Sequence, residues 1–148
     1  VELVLYGRKD FSGMVVSMDD LRDVGPIAVV RNDVRADALR DGGVTNVLVF
    51  PDDYACIRAL MNQEAELWFG TSDILTQSAK SLETDPDQFK KVWVYQKSDL
   101  FIAFNPGTPD DLIRRWQETL DDMKEDGTFE MISERYMPFV CSWVRCIP

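Results

Sequence analysis

The stretch Ser98–Asp111, with the sequence SDLFIAFNPGTPDD, decides the fold prediction because strand-forming residues give way to helix-starting ones within it. Residues 101–104 are apolar and strand-forming, and residues 105–107 (Asn-Pro-Gly) are typical of a turn. Residues 108–111 supply a capping hydroxyl, a proline for the first helical position and two carboxylates for the positive helix end. The stretch therefore predicts a buried strand, a turn, and a helix with Thr108 as its cap.

Two helices are predicted after this turn, at 109–125 and 129–137. Gly127 lies between them, where a left-handed residue would end the first helix. In both segments apolar residues recur every three or four positions, which is typical of one buried face. These residues are Leu112, Ile113, Trp116, Leu120, Met123, Phe129, Ile132 and Tyr136.

Ahead of this stretch, short strand-forming runs alternate with predicted helices. This order favours an α/β fold with a parallel-type sheet flanked by helices, because parallel strands need crossover connections and helices supply them. Residues 7–13 are predicted to form a polar loop, and Ser17 with Asp20 is predicted to cap a helix before Leu21. The predicted strands are 1–5, 27–30, 46–50, 65–69 and 91–95, and the predicted helices are 34–40, 53–62 and 74–82.

Composition excludes several classes of function. The chain has 148 residues and a net charge of −10, which argues against binding to nucleic-acid phosphates or anionic membranes. It contains no apolar run long enough to span a membrane. We therefore expect a soluble globular protein.

The three cysteines leave two alternatives open. Cys141 and Cys146 lie close together in the apolar tail 139–148, where they form either a disulfide, as in an exported protein, or packed free thiols. Cys56 falls at the spacing of a buried helix face with Ile57 and Leu60. Because the chain has no histidine and no CxxC pair, neither a metal site nor a cofactor is expected.

Catalysis is not expected either. Without histidine, a serine or cysteine nucleophile lacks its usual base, and no glycine-rich loop is of the kind that binds phosphate. Asp52 and Asp53 could serve as a general acid and base, although adjacent acids at a helix start are common.

The order and spacing of several motifs resemble a known family. The motifs are Tyr6–Lys9, Ser17–Leu21, Ile27–Val30 and Leu60–Glu66, together with the closing strand and helices described above. In this order they resemble the second lobe and closing segment of bacterial extracellular solute-binding protein family 3, the polar amino-acid ABC transporter type within periplasmic binding protein type 2. The resemblance extends almost to Met137.

The resemblance also implies a division of the chain. Residues 1–5 would be a hinge strand, 6–99 the second lobe, 100–138 the return hinge strand with the C-terminal helices of the first lobe, and 139–148 an apolar tail. Family members carry a long segment ahead of this point, so the chain resembles an N-terminally truncated member. The C-terminal helices would then lack their usual partner surface, and we expect a homodimer or a domain swap through them.

Ligand-binding residues are implied at two loops that follow strands. In the family, a Gly-Thr pair binds the ligand carboxylate at a helix N-terminus, and an aspartate after a later strand binds the α-amino group. The matching positions are Asn32-Asp33 and Thr71, and all three depart from the pattern, which argues against a standard α-amino acid in the usual pose. The structural alternative is that both loops are simply helix caps. The candidates are Arg31, Asn32, Asp33, Val34, Arg35, Thr71 and Ser72, with Arg31 and Arg35 able to restore an anion site.

The function implied is capture of a small polar solute, amino-acid-like or an organic acid. The protein would be periplasmic or extracellular and would deliver its ligand to the membrane permease of an ABC transporter. One alternative is the extracytoplasmic sensor domain of a membrane receptor, and a weaker one is a dehydratase-like enzyme on the same fold.

Overall fold

A computed structural model describes residues 1–99 and 101–136 of the protein. The chain divides into two units, residues 1–98 and 99–148. The first unit contains a five-stranded sheet, three helices, and single 3-10 turns at Asp20–Arg22 and Pro86–Gln88. Its strands are Glu2–Arg8 (β1), Ile27–Val30 (β2), Val47–Phe50 (β3), Leu67–Thr71 (β4) and Phe89–Lys97 (β5), and its helices are Val34–Asp41 (α1), Asp53–Met61 (α2) and Ser72–Ser81 (α3).

The strands lie in the order β3-β2-β4-β1-β5. β2 pairs in parallel with β3 and β4, whereas β1 is antiparallel to both β4 and β5. The predicted α/β class is therefore confirmed. The sheet is mixed because β1 alone runs against the other four strands, and those four include every strand that follows a helix.

Both faces of the sheet are covered. Alternate side chains of a strand point to opposite faces, so Val4 and Tyr6 lie on the face covered by α2 and α3, and Leu5 lies on the face covered by α1. Cys56 is fully buried among the residues of the first face, as the helical spacing predicts.

Several predicted boundaries in this unit are wrong. β4 runs from Leu67 to Thr71 rather than over 65–69, and α3 begins at Ser72 rather than 74. β1 continues through Gly7 and Arg8, for which the sequence predicts a loop, because β4 and β5 supply pairing partners on both sides. Ser17 and Asp20 do bond to each other, with Ser17 Oγ donating to the Asp20 carboxylate at 2.8 Å. The segment that follows is a single 3-10 turn rather than a longer helix.

The second unit contains two helices among its described residues, Asp110–Glu125 (α4) and Thr128–Tyr136 (α5). Gly127 between them has a φ of 81°, so the predicted left-handed residue is confirmed. α4 begins one residue later than predicted, with Pro109 at its N-cap position. No side chain caps it, and Thr108 lies in the preceding turn, where its backbone N–H donates to the Asn105 carbonyl.

The predicted strand at 101–104 is not observed, and Phe101 and Ile102 are exposed. Within its own unit the only regular elements among the described residues are helices, so an extended segment there has no strand with which to pair its backbone groups. The Cys141–Cys146 pair, either a disulfide or two free thiols, and the tail 139–148 lie outside the described residues. Among those described, no helix is long and apolar enough to cross a membrane.

Candidate functional site

The carboxyl ends of β2, β3 and β4 are joined by one side chain, Arg35. It lies in the first turn of α1, only 4% exposed. Its guanidinium group donates to the carboxylates of Asp33, before α1, and Asp53, at the start of α2. It also donates to the carbonyl oxygen of Phe69 on β4, at 3.1 Å. Arg35 therefore links the loops after β2 and β3 to strand β4.

Every N–H group of this guanidinium is used. Nε donates to Asp33 Oδ1 at 2.7 Å, and Nη2 donates to Asp33 Oδ2 at 2.8 Å and Asp53 Oδ2 at 3.2 Å. Nη1 donates to Asp53 Oδ1 at 2.9 Å and to Phe69 O. Since guanidinium has five N–H groups, none is left for an external anion. The prediction that Arg31 and Arg35 form an anion site stays a prediction, and Arg35 could contribute to such a site only by breaking a bond shown here.

Electrostatics keep Arg35 and Asp33 ionised. Burial alone would lower the pKa of Arg35, but its hydrogen bonds and charge interactions with Asp33 and Asp53 raise it above the ordinary value. Hydrogen bonds from the Arg35 side chain, and a further one from its backbone N–H, lower the pKa of Asp33 despite partial burial. Two carboxylates therefore face one guanidinium, and the cluster carries a net charge of −1.

A second chain of contacts leads from Asp53 to the start of α3. Trp68 Nε1 donates to Asp53 Oδ1 at 3.1 Å, and the Trp68 ring stacks on Tyr6 with centroids 5.4 Å apart. The Tyr6 hydroxyl lies 2.7 Å from Ser72 Oγ, within hydrogen-bond distance. Burial raises the pKa of Tyr6 to about 12, so this hydroxyl keeps its proton at neutral pH.

The start of α3 differs from the starts of its neighbours. Asp33 accepts from Arg35 N at the start of α1, and Asp52 accepts from Ala55 N at the start of α2, so both helices are capped. Thr71 occupies the N-cap position of α3 but forms no capping hydrogen bond. Its hydroxyl oxygen is buried and has no hydrogen-bond partner among the described residues, while the residue is 6% exposed. A buried hydroxyl without a partner is unusual, and here it adjoins free backbone N–H groups.

The structure brings together some of the predicted ligand-binding residues and not others. Asp33 and Arg35 are in direct contact, and Thr71 and Ser72 lie at the same edge of the sheet. Arg31, Asn32 and Val34 are exposed, and Asn32 has a left-handed φ of 57°. Whether any of them binds a ligand remains a prediction.

Asp53 is the residue that the sequence-based site missed. It was considered only as one of two adjacent acids, although it follows β3 just as Asp33 follows β2. That parallel placement was the available signal, because strands of one parallel sheet end at a common edge. No group of His, Cys, Asp and Glu residues among those described is arranged to hold a metal ion.

Comparison with solved structures places this fold among periplasmic-binding-protein-like domains. The GluR0 ligand-binding core from Nostoc punctiforme, in complex with (L)-glutamate, superposes with a TM-score of 0.70 at 20% identity, over 91% of this chain and 60% of that one. A mutant of ArgBP from T. maritima gives a TM-score of 0.69 at 16% identity, over 91% and 57%. A histidine kinase sensor domain with similarity to periplasmic binding proteins gives 0.67 at 17% identity, over 93% and 59%.

These matches show the fold. This chain corresponds to between 57% and 60% of the length of each of these three proteins. No protein-family model matches the chain, and no curated protein sequence does.

Proposed function

We propose that this chain is part of an extracytoplasmic solute-binding protein that captures a small polar solute, either amino-acid-like or an organic acid. The ligand would bind where β2, β3 and β4 end, the edge at which open α/β sheets usually bind their ligands. The protein would be of the family 3 type, and its partner would be the membrane permease of an ABC transporter. Its location would be periplasmic or extracellular.

The observation that carries this proposal is the Arg35 cluster. One buried guanidinium links the loops after β2 and β3 to strand β4, three segments from separate parts of the sequence, which is the preorganisation that a binding site needs. Similarity to a glutamate-bound receptor core and to an ArgBP supports a binding role rather than an enzymatic one.

A second candidate function is favoured by one comparison. The similar histidine kinase sensor domain has this fold in a receptor context. A sensor would bind its ligand through the same edge of the sheet, and the two candidates differ only in what the ligand-bound form contacts. Full-length protein that modulates a kinase, rather than stimulating transport, would favour the sensor.

Self-association through the second unit belongs to the proposal as well. α4 has no fully buried residue, and on its apolar face Leu112 is exposed and Trp116 is 53% exposed. On α5, Ile132 and Tyr136 are exposed too. Apolar surface of this kind favours association, so we propose a homodimer or a domain swap through these helices.

Isothermal titration with the common L-amino acids and small organic acids tests the binding function. Asp53→Asn removes a charge from the cluster, and its matched control is Asp52→Asn, because the neighbouring Asp52 is exposed and lies outside the cluster. We expect at least one solute to bind wild type and the control alike, and to bind Asp53→Asn at least about tenfold more weakly, a loss of about 1.4 kcal/mol. Equal binding by both variants would contradict the proposed site.

A further inference from the structure

Trp68 lies between the Arg35 cluster and the start of α3 and is linked to both. Its indole Nε1 donates to Asp53 Oδ1 at 3.1 Å, and its ring stacks on Tyr6, whose hydroxyl is 2.7 Å from Ser72 Oγ. We propose that Trp68 is a positioning residue that couples the start of α2, at Asp53, to the start of α3, at Ser72. The inference rests on the proposed function and deepens it, because both helix starts lie at the edge assigned to the solute.

The Trp68 ring reaches this edge because Gly70 leaves room for it. Residues 68 and 70 point to the same face of β4, since side chains alternate along a strand. A methyl group placed on Gly70 would overlap the Trp68 ring, so the ring lies directly across this glycine. The ring therefore extends along β4 toward its carboxyl end, where the indole N–H meets Asp53.

Tyr6 extends the contacts from Trp68 to β1 and α3. The two residues are directly opposite in the antiparallel pairing of β1 with β4, and their rings stack with planes 26° apart. Stacked aromatic pairs contribute more than the area that they bury. The Tyr6 hydroxyl lies within hydrogen-bond distance of Ser72 Oγ, so the first residue of α3 is tied to the stacked pair.

The two helix starts are connected only indirectly. In the described part of the chain Asp53 and Ser72 share no hydrogen bond, and they belong to different helices. Trp68 is fully buried and Tyr6 is 2% exposed, so neither ring can move without displacing its neighbours. Packed side chains and hydrogen bonds of this kind are what couples one site to another. Since Asp53 also bonds to Arg35, the start of α1 belongs to the same network.

The backbone of β4 offers a second route between the same ends. Arg35 donates to the Phe69 carbonyl, and Phe69 precedes Ser72 by three residues along the chain. The two routes differ because only the first needs the indole N–H. Trp68→Phe removes that N–H and keeps an aromatic ring opposite Tyr6, whereas the backbone of β4 is unchanged.

Chemical-shift mapping of ¹⁵N-labelled protein tests the coupling without any solute. Ser72→Ala removes the hydroxyl that meets Tyr6, and it should shift the Trp68 indole N–H signal and the Asp53 amide signal. Ser78→Ala is the matched control, because Ser78 is a buried serine farther along the same helix, and it should shift neither signal. In the Trp68→Phe background the Asp53 amide should no longer respond to Ser72→Ala.

Unfolding equilibria measure the same coupling independently. Urea denaturation gives the unfolding constants of Asp53→Asn, Ser72→Ala and the double variant. The constant of the double variant should differ at least about threefold from the value that the single variants predict by multiplication, and in the Trp68→Phe background this factor should fall below about twofold. If Trp68 were only a packing residue, Trp68→Phe would lower the stability of every variant alike and leave the factor unchanged.

A Trp68 indole signal that ignores Ser72→Ala would overturn the inference, and this result needs no change at Trp68 itself. An Asp53 amide that still responds in the Trp68→Phe background would assign the effect to the backbone of β4 and overturn it as well. Failure of the proposed function looks different. Coupling in a protein that binds no common L-amino acid or organic acid supports the role of Trp68 and contradicts solute capture, whereas solute binding without coupling contradicts only the role of Trp68.

Discussion

Arg35 and Asp53 are paired twice, with Nη1 2.9 Å from Oδ1 and Nη2 3.2 Å from Oδ2. They lie 18 positions apart in the sequence and on different helices, α1 and α2. The pair is the direct link between the loops that follow β2 and β3, and Asp33 completes the set of charges around it. Removal of Arg35 leaves two partly buried carboxylates without their cation, so the cluster should be most sensitive to substitution of Arg35.

Replacement of Arg35 should be strongly destabilising. Arg35→Met leaves Asp33 and Asp53 facing each other with no cation between them, and we expect a loss of about 3 kcal/mol in the free energy of unfolding. Arg31→Met is the matched control, because Arg31 lies four residues earlier and is exposed. Urea denaturation followed by circular dichroism measures both variants. An equal effect of the two substitutions would contradict a structural role for the cluster.

The stability of the first unit should fall in acid because the Asp33 carboxylate becomes protonated. The pKa of Asp33 is lowered in the folded protein by its hydrogen bonds to Arg35, so this group contributes stability above its unfolded pKa of about 4. That contribution is lost as the pH falls through the lower, folded pKa. Urea unfolding of wild type and Asp33→Asn between pH 6 and pH 2, on the order of one measurement per pH unit, tests this. The difference in the free energy of unfolding between the two proteins should shrink toward low pH. A difference that stays constant would contradict a lowered pKa of Asp33 in the folded protein.

Cys56 should resist modification in the folded protein. It is fully buried, and burial together with the nearby charge of Asp53 raises the pKa of its thiol to about 12. Since the thiolate is the reactive form, iodoacetamide at neutral pH should leave the peptide containing Cys56 unmodified until urea unfolds the chain. Peptide mass mapping with and without urea reports this directly. Rapid labelling without urea would show that α2 does not pack as described.

Much of the fold follows from local sequence, and the exceptions share a cause. The spacing of Cys56, Ile57 and Leu60 predicts the buried face of α2, and Gly127 predicts the end of α4, because both signals lie within a single turn of chain. The predicted strand at 101–104 failed because a strand needs a partner, and local residue type does not specify one.

The candidate site, too, could be predicted only where local sequence was sufficient. Asp33 and Thr71 are sequence-based candidates because their positions match the ligand-binding loops of the family that the chain resembles. In the structure Asp33 lies three residues beyond β2, and Thr71 is the last residue of β4. Asp53 was missed as a site residue, and the full use of the Arg35 N–H groups was not foreseen. Both depend on a contact between residues 18 positions apart, which only the packing of α1 beside α2 creates. The uncapped start of α3 was equally hidden, because Thr71 is a residue type that usually caps.

Self-association should depend on the apolar face of α4. Trp116 is half exposed, and its ring meets that of Phe104 edge to face. If copies of the chain pair through this face, Trp116→Ser should weaken the dimer at least about tenfold, whereas Gln117→Ser, on the adjacent exposed position, should not. Sedimentation velocity over a range of concentrations measures both. A wild-type protein that stays monomeric throughout would contradict association by this route.

Native mass spectrometry of the protein purified without refolding is the sharpest test of solute binding at this edge of the sheet, because it reports both the subunit count and any small molecule that the protein retains. We expect a complex with a small polar solute, either retained from the source or formed on adding a mixture of L-amino acids and organic acids. Asp53→Asn should lose this complex, and Asp52→Asn should keep it. A folded wild-type protein that carries no solute and acquires none from the mixture would contradict the claim that this edge of the sheet is a solute-binding site.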